Sequence, residues 1–313
     1  MVFYIIFLQT DFPIPYGIGG NHMNIPFKDL NLNNSYLFAA TLSDPETCRL
    51  VLEIIIGHKL PRVKVTTEKT ILLSSEAKWI RLDVSATDEL NVHYNLESQN
   101  ADDENIAKRS RYYQAEMDVS LLKPGDAYEK LPESYVIFIC TFDPFGKGLY
   151  RYTFTEKCQE NGMCLGDGTY KIFLNTKGTN PDEISNELKH FLKYYTDTTD
   201  KCVEGVDDKL IRELHEKVTS LKKSREWEAG YMKMSEILEN SKREGIVEGR
   251  NEGIKEGIKE GHHNSLLLVL ETKGSVPDDL RERIDTEQDI EVLDKWIRLA
   301  ATSESVENFQ ENM

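Results

Sequence analysis

The chain has 313 residues, with 38 Lys and Arg against 54 Asp and Glu, a net charge of −16 at pH 7. That length suits one α/β domain with a substantial core plus a second element, and the acidic balance excludes binding of nucleic acid through bulk charge, leaving only a local basic strip or a bound cation to meet phosphates. Cys48, Cys140, Cys158, Cys164 and Cys202 are odd in number and form no C-x-x-C pair, which argues against a disulfide framework or structural zinc and for a reduced, cytoplasmic chain.

The N-terminal run Met1–Gln9 is apolar but too short to span a bilayer. It also lacks the basic flank and cleavage site of a signal peptide. With the Pro/Gly-rich stretch after it, residues 1–24 read as a disordered extension, and Met23 reads as the native start. The first helix follows Asp44, which caps it, with Pro45 in the first turn and Gly57 at its end. Cys48, Val51, Leu52 and Ile55 form its apolar stripe. Pro61–Leu73 alternates as the first strand.

Ile80, Leu82, Val84 and Ala86 then mark one apolar face, opposite Arg81, Asp83 and Ser85. After a short polar connection at Thr87–Leu90, Val92, Tyr94, Leu96 and Ser98 alternate with His93, Asn95, Glu97 and Gln99. The two runs should pair as an antiparallel hairpin, placing Asp83 and Glu97 on its polar face. Two carboxylates held close repel unless one takes a proton or a cation sits between them. A hard divalent ion, Mg²⁺ before Ca²⁺, answers that need. His93 lies on this polar face beside Glu97, where a surface-strand role is the simpler one.

A helix opening after Asp102–Glu104 carries Lys108, Arg109, Arg111, Tyr112, Tyr113 and Glu116. Arg109 and Tyr113 share a face. That face either packs near the hairpin, where Arg109 meets a phosphate or fixes Glu97, or simply covers the core with an arginine over aromatic rings. Tyr135–Cys140 is a continuous apolar run, as expected of a strand buried on both faces. Leu149–Thr155 and Thr169–Leu174 are further strands, and Pro181–Tyr195 is helical, with Ile184, Leu188, Phe191 and Leu192 inward. The domain reads as α/β, a mixed sheet of about five or six strands flanked by helices.

From Val203 the pattern becomes helical. Val206, Leu210, Leu214, Val218 and Leu221 give one stripe, and Trp227, Tyr231, Met234 and Leu238 a second. Glu-Gly then recurs every four residues, with Gly245, Gly249, Gly253, Gly257 and Gly261. Each glycine costs a helix about 1 kcal/mol relative to alanine, and a period of four drifts against the 3.6-residue turn. Two forms stay open: a long solvated helix, braced by Glu252–Lys255 and Glu256–Lys259 pairs or by a second copy packed on the glycines, and a flexible spacer. Residues 263–302 read as a small helical segment containing Trp296, and the polar tail beyond Thr302 as frayed. His262-His263 has no partner at metal-ligand spacing, and no Ser-His-Asp order, phosphate loop or dinucleotide fingerprint is present.

Asp83, then Glu97-Ser98-Gln99 in the next strand, then the helix with Arg109, Tyr112 and Tyr113 resemble the PD-(D/E)xK nuclease superfamily. More narrowly, they resemble the Rpn-type recombination-promoting nucleases and transposases of bacteria. SDPETCRLVLEIIIG at Ser43–Gly57, YNLESQ at Tyr94–Gln99, KRSRYYQAEM at Lys108–Met117 and LLKPGDAYEKLPESYVIFI at Leu121–Ile139 fit the same family, as does the Glu-Gly tail. The likeness spans roughly residues 25 to 200, and it rests on the ordered set rather than on any one motif. It implies a restriction-endonuclease-like core over 25–200, followed by an α-helical extension; the long helix over 203–262 is the reading of the stripes and repeat above.

The resemblance also implies roles. Asp83 and Glu97 match the metal-binding acids, with the carbonyl of Ser98 as a further ligand for Mg²⁺, or Mn²⁺ or Ca²⁺ in its place. Gln99 stands where the wider superfamily has a lysine that orients the attacking water. From the helix itself, and not from the resemblance, Lys108, Arg109 and Tyr113 are the candidate phosphate-binding or supporting residues. The sequence departs from the pattern at Ser35, in Asn34-Ser35-Tyr36-Leu37-Phe38, where relatives carry an acid on the first helix. Three readings follow: a metal-dependent DNA endonuclease of the recombination-promoting type, a catalytically impaired nuclease fold that binds DNA, and a homo-oligomeric scaffold built on the C-terminal helix. None involves a membrane.

Overall fold

The structure, a computed structural model, describes residues 25–67, 70–71, 80–81, 84–102 and 104–313. The expected extension over 1–24 with its start at Met23 lies outside that set, as does Asp83, the partner expected for Glu97. The chain forms two compact units, Met1–Ser235 and Glu236–Met313.

The first unit is built on strands β1 (Val63–Thr67), β4 (Val84–Asp88), β5 (His93–Gln99), β6 (Ser134–Cys140), β7 (Arg151–Phe154) and β8 (Thr169–Asn175), with a separate two-stranded ribbon of β2 (Thr70–Ile71) and β3 (Ile80–Arg81). The expected strand over Pro61–Leu73 is thus shorter, ending at Thr67 before that ribbon begins. The six-stranded sheet has the order β1-β4-β5-β6-β8-β7. Strands β5, β6 and β8 are parallel, and the outer pairs are antiparallel.

The expected hairpin is β4–β5, with Val84 opposite Leu96 and Thr87 opposite His93. Its turn is organised by Asp88, which is buried and accepts hydrogen bonds from the Leu90 and Val92 amides, both at 2.9 Å, and from the Tyr94 hydroxyl at 3.1 Å. Asn91 takes a φ of 65°, which asparagine tolerates better than most residues.

Seven ladder pairs join β5 to β6 in parallel register, so side chains share faces in rows. Tyr94, Leu96 and Ser98 lie on one face with Tyr135, Ile137 and Ile139. Helices α1 (Ser35–Leu42), α2 (Pro45–Ile56) and α4 (Asn186–Thr196) are tied to that face. Tyr195 of α4 bonds Ser98 and packs edge-on to Phe38 of α1, and Arg151 of β7 donates to the Ile55 carbonyl at the end of α2. Asn34 caps α1 through the Tyr36 and Leu37 amides, and Asp44 caps α2 through the Thr47 amide. The expected stripe of α2 is buried, but so are Leu50, Glu53 and Ile54, so the helix is enclosed nearly all round. Buried Glu53 is ion-paired to Arg49 at 2.5 Å and Lys59 at 2.7 Å and accepts from the Leu60 amide at 3.1 Å. Burial opposes its charge, but these partners outweigh it and hold the carboxyl below its ordinary range.

The opposite face carries Asn95, Glu97 and Gln99 in rows with Val136, Phe138 and Cys140. Helix α3 (Ile106–Leu121) covers it, with Ile106, Tyr113 and Met117 against Val136, Phe138, Cys140, Tyr152 and Phe173. The polar face of the hairpin is therefore packed by α3, as the functional reading of Arg109 and Tyr113 expects, and β5 is enclosed on both sides.

After α5 (Asp200–Val203), α6 (Lys209–Lys222) buries Ile211, Leu214 and Val218. The 47-residue α7 (Arg225–Glu271) then runs without interruption through all five repeat glycines, so the helical form holds over the spacer. In the second unit, the end of α7 joins α8 (Asp278–Thr286), α9 (Ile290–Thr302) and α10 (Val306–Asn312) around Leu266, Leu270, Leu280, Ile284, Leu293, Trp296, Ala300, Val306 and Phe309. Lys259 reaches Gln288 at 2.9 Å rather than Glu256. The tail expected to fray beyond Thr302 is instead a capped helix. Ser305 accepts from the Asn308 amide, and Val306 and Phe309, three apart, close the core. Among the described residues, no helix is long and apolar enough to cross a membrane.

Candidate active site

Alternation along β5 sends Glu97 and Gln99 to the same face, beneath α3. The Glu97 carboxylate is 12% exposed and lies 3.6 Å from Arg109 Nη2. Arg109 Nη1 donates to Gln99 Oε1 at 2.9 Å, and Nη2 donates to the Tyr113 hydroxyl at 3.2 Å. The guanidinium also lies over the Phe138 ring at 5.6 Å and the Tyr113 ring at 5.7 Å, while those two rings stack on each other. One arginine on α3 thereby links the carboxylate, the amide and the aromatic floor, and both roles considered for it, fixing Glu97 and covering aromatic rings, are present together.

Gln99 is buried, and its Nε2 donates to the Ala101 carbonyl at 2.6 Å, so both ends of the amide are held. Cys140, beside Gln99 in the ladder, is fully buried. Burial pushes its thiol up to about 12.

Ser98 points to the other face. Its hydroxyl donates to the Asn33 carbonyl at 3.1 Å and is 2.5 Å from the Tyr195 hydroxyl, leaving its main-chain carbonyl as the group a ligand role would use. Asn100 also donates to the Asn33 carbonyl, at 2.6 Å. These bonds bring Asn33, Asn34 and Ser35, the start of α1, to the C-terminal end of β5. The sequence singled out neither Asn33, Asn100 nor Tyr195; a lone asparagine or a tyrosine within an apolar helix stripe carries no signal of a contact so distant in the chain.

Other expected members of the cluster stand apart. Lys108 is exposed on α3, and Tyr112 is 58% exposed. His93 is turned toward the hairpin end, with Nδ1 3.1 Å from Thr87 and Nε2 3.4 Å from Asn91, rather than toward Glu97. Asp83 lies outside the described residues.

Among the described residues, no group of three or more His, Cys, Asp or Glu is gathered to hold a metal ion. The donors around Glu97 are the oxygens of a carboxylate, an amide and main-chain carbonyls. That set fits a hard divalent cation rather than a soft one. The carboxylate already faces a cationic side chain at a depth where an uncompensated charge is costly.

A family model described as a PD-(D/E)XK nuclease family transposase matches residues 38–242. The chain belongs to that family. The match takes in Glu97, Ser98, Gln99, Lys108, Arg109 and Tyr113 and begins after Ser35. The mixed sheet with flanking helices and the helical extension are the architecture expected of a PD-(D/E)XK core. Nucleases of this kind generally use divalent metals. No curated protein and no solved structure matches this PD-(D/E)XK family member.

Proposed function

We propose that this protein is a Mg²⁺-dependent DNA endonuclease of the recombination-promoting type. In this reading residues 25–200 are the nuclease domain, Asp83 and Glu97 are the metal-binding acids, the Ser98 carbonyl is a further ligand, and Gln99 orients the attacking water. The observation that carries the reading is the joint grip of Arg109 on Glu97 and Gln99, two side chains that leave the same face of a central strand. Bound Mg²⁺ would supply a more acidic water and neutralise charge at the phosphorus.

The chain's own residues do the rest. An amide neither carries charge nor accepts a proton near neutral pH, so Gln99 can orient a water but cannot deprotonate it. Arg109, in hydrogen-bond contact with the Gln99 oxygen, places a positive charge where the wider superfamily has its lysine. It can pass from Glu97 to a phosphate oxygen when substrate arrives, since guanidinium pairs with either. Tyr113 holds the guanidinium from its other side, and exposed Lys108 adds a charge farther out on α3. Five free cysteines, three of them buried, suit a reducing cytoplasm.

The test is plasmid nicking in Mg²⁺ or Mn²⁺ by the full chain beside Asp83→Ala and Glu97→Ala. Relaxed circles from the parent alone support the reading; equal nicking by all three would falsify it. A second reading, a nuclease fold that binds DNA without cutting it, is favoured by one observation. Asn33, just ahead of α1, is bonded to Ser98 and Asn100 at the end of β5, and α1 opens with Ser35 where the resemblance implies an acid. Tight binding of the plasmid without nicking by the parent selects it.

The repeat of α7 adds a partner. Ile246, Val247, Ile254 and Ile258 are exposed on a helix whose repeat glycines have nothing within 4 Å of the Cβ each lacks, which suits close packing of a second copy.

A further inference from the structure

We infer that the loops 143–150 and 175–180 form one rigid, lysine-bearing rim that grips the nucleic-acid backbone beside the Glu97 cluster, through Lys147 and Lys177. The inference rests on the nuclease reading for its substrate and extends it to a surface that reading does not use.

The placement follows from register. Gln99, Cys140 and Asn175 are ladder partners at the C-terminal ends of the parallel strands β5, β6 and β8. The loops that follow β6 and β8 therefore leave on the edge where β5 presents Glu97 and Gln99, the edge at which open α/β sheets take their ligands. The face is the same as well. Phe145, in the first loop, packs 5.0 Å from Phe173, which stacks on Phe138, the ring beneath Arg109. A continuous row of aromatic rings thus runs from the arginine to the loop that carries Lys147.

The two loops are locked to each other. The Thr179 amide donates to the Gly148 carbonyl at 2.7 Å, and the Thr179 hydroxyl to the same oxygen at 3.1 Å. The Tyr150 amide donates to Asn180 Oδ1 at 2.8 Å, and Asn175 Nδ2 to the Leu149 carbonyl at 3.0 Å. A Cβ on Gly178 would collide with the Tyr150 ring, so the backbone itself is pressed against that side chain. Within the first loop Asp143 accepts from the Phe145 amide at 3.1 Å, the Gly148 amide at 2.6 Å and the Tyr152 hydroxyl at 2.7 Å. Burial opposes its charge, but those donors hold its carboxyl below the ordinary range.

The result is a charge arrangement suited to phosphate. The acid of the first loop is turned inward and satisfied, whereas Lys147 and Lys177 are both exposed. Each sits a residue or two from the shared Thr179–Gly148 bond, so neither can swing away independently at the backbone. In a chain of net charge −16, such a fixed basic pair supplies the local attraction that the bulk charge denies.

The experiment measures binding of a short DNA duplex by fluorescence anisotropy across a salt series, in EDTA so that no cutting intervenes. It compares the full chain with K147A/K177A and K147R/K177R, and far-UV circular dichroism checks that each variant is folded. Every lysine–phosphate pairing removed reduces the slope of log K against log salt by about 0.9. The alanine pair should therefore show a slope shallower by about 2 and weaker binding at low salt, and the arginine pair should keep the parent slope. An alanine pair with the parent slope overturns the inference, as does a parent chain that binds no DNA. If the alanine pair loses slope while the parent never nicks plasmid, the rim stands and only the catalytic reading falls. If the parent nicks plasmid but the slope is unchanged, the reverse holds.

Discussion

Arg109 meets Gln99 through a 2.9 Å hydrogen bond from Nη1 to Oε1, and the same guanidinium stands 3.6 Å from Glu97. An arginine committed to an amide and a carboxylate at once fixes the two side chains relative to each other. Arg109→Ala should cost about 1–3 kcal/mol of stability by removing these charge-assisted bonds and abolish nicking. Arg109→Lys should recover part of the stability but little activity, because an ammonium cannot reproduce the planar fork. Urea unfolding and plasmid nicking on the same preparations check both, and an alanine variant that unfolds at the parent midpoint would refute the bridging role.

Tyr195 and Ser98 form a second, deeper link, 2.5 Å between hydroxyls, with the Ile139 carbonyl 3.4 Å away. Tyr195→Phe keeps the ring and removes the donor. It should destabilise the chain by about 1–2 kcal/mol, read as a lower urea midpoint at unchanged slope.

Glu53 gives a pH signature. Its carboxyl is held below the ordinary 4.5 in the folded chain, so the stability it contributes is present above pH 4.5 and is lost as pH falls through its folded value. Glu53→Gln should lower the urea midpoint at pH 7, and the gap to the parent should narrow steadily below pH 4.5. A gap that stays constant down to pH 3 contradicts the ion-paired arrangement.

Much of this fold is legible in the sequence because its signals are local. The capped helix from Asp44 to Gly57, the β4–β5 hairpin and the apolar β6 each follow from spacing within a short stretch of chain. Alternation overextends the strand at Pro61–Leu73 because it does not reveal where a partner strand ends. The C-terminal tail misleads for a related reason. Val306 and Phe309 are sparse in a polar run, and only the cavity left by Leu266, Leu293 and Trp296 makes them a helix face. The site is half legible: Glu97 and Gln99 fall together by period two, and Arg109 and Tyr113 by period four. That α3 packs on β6 and reaches β5 through Arg109, and that Asn33 and Tyr195 hold Ser98, are long-range facts without any local pattern.

The tail offers its own check. Phe309→Ala should destabilise the second unit by about 3–5 kcal/mol, and the amides of Val306–Asn312 should change from slow to fast hydrogen exchange. Fast exchange already in the parent would restore the frayed tail.

The glycine repeat can be tested in the opposite direction. Gly245, Gly249 and Gly253 have nothing within 4 Å of a built Cβ, so replacing all three by alanine should raise helix stability by about 1 kcal/mol each. The same change should weaken self-association if copies pack through these positions, as read by sedimentation equilibrium. A triple variant that associates as the parent does removes the proposed second copy from this face.

The distribution of sulfur has a practical consequence. Burial holds the thiols of Cys48 and Cys140 up at about 12, and Cys202 is raised and buried as well, while Cys158 and Cys164 sit at the surface of the segment between β7 and β8. Maleimide dyes will therefore tag the periphery and spare the interior, giving a built-in attachment point at the end of β8 opposite the lysine rim, with no engineered cysteine required.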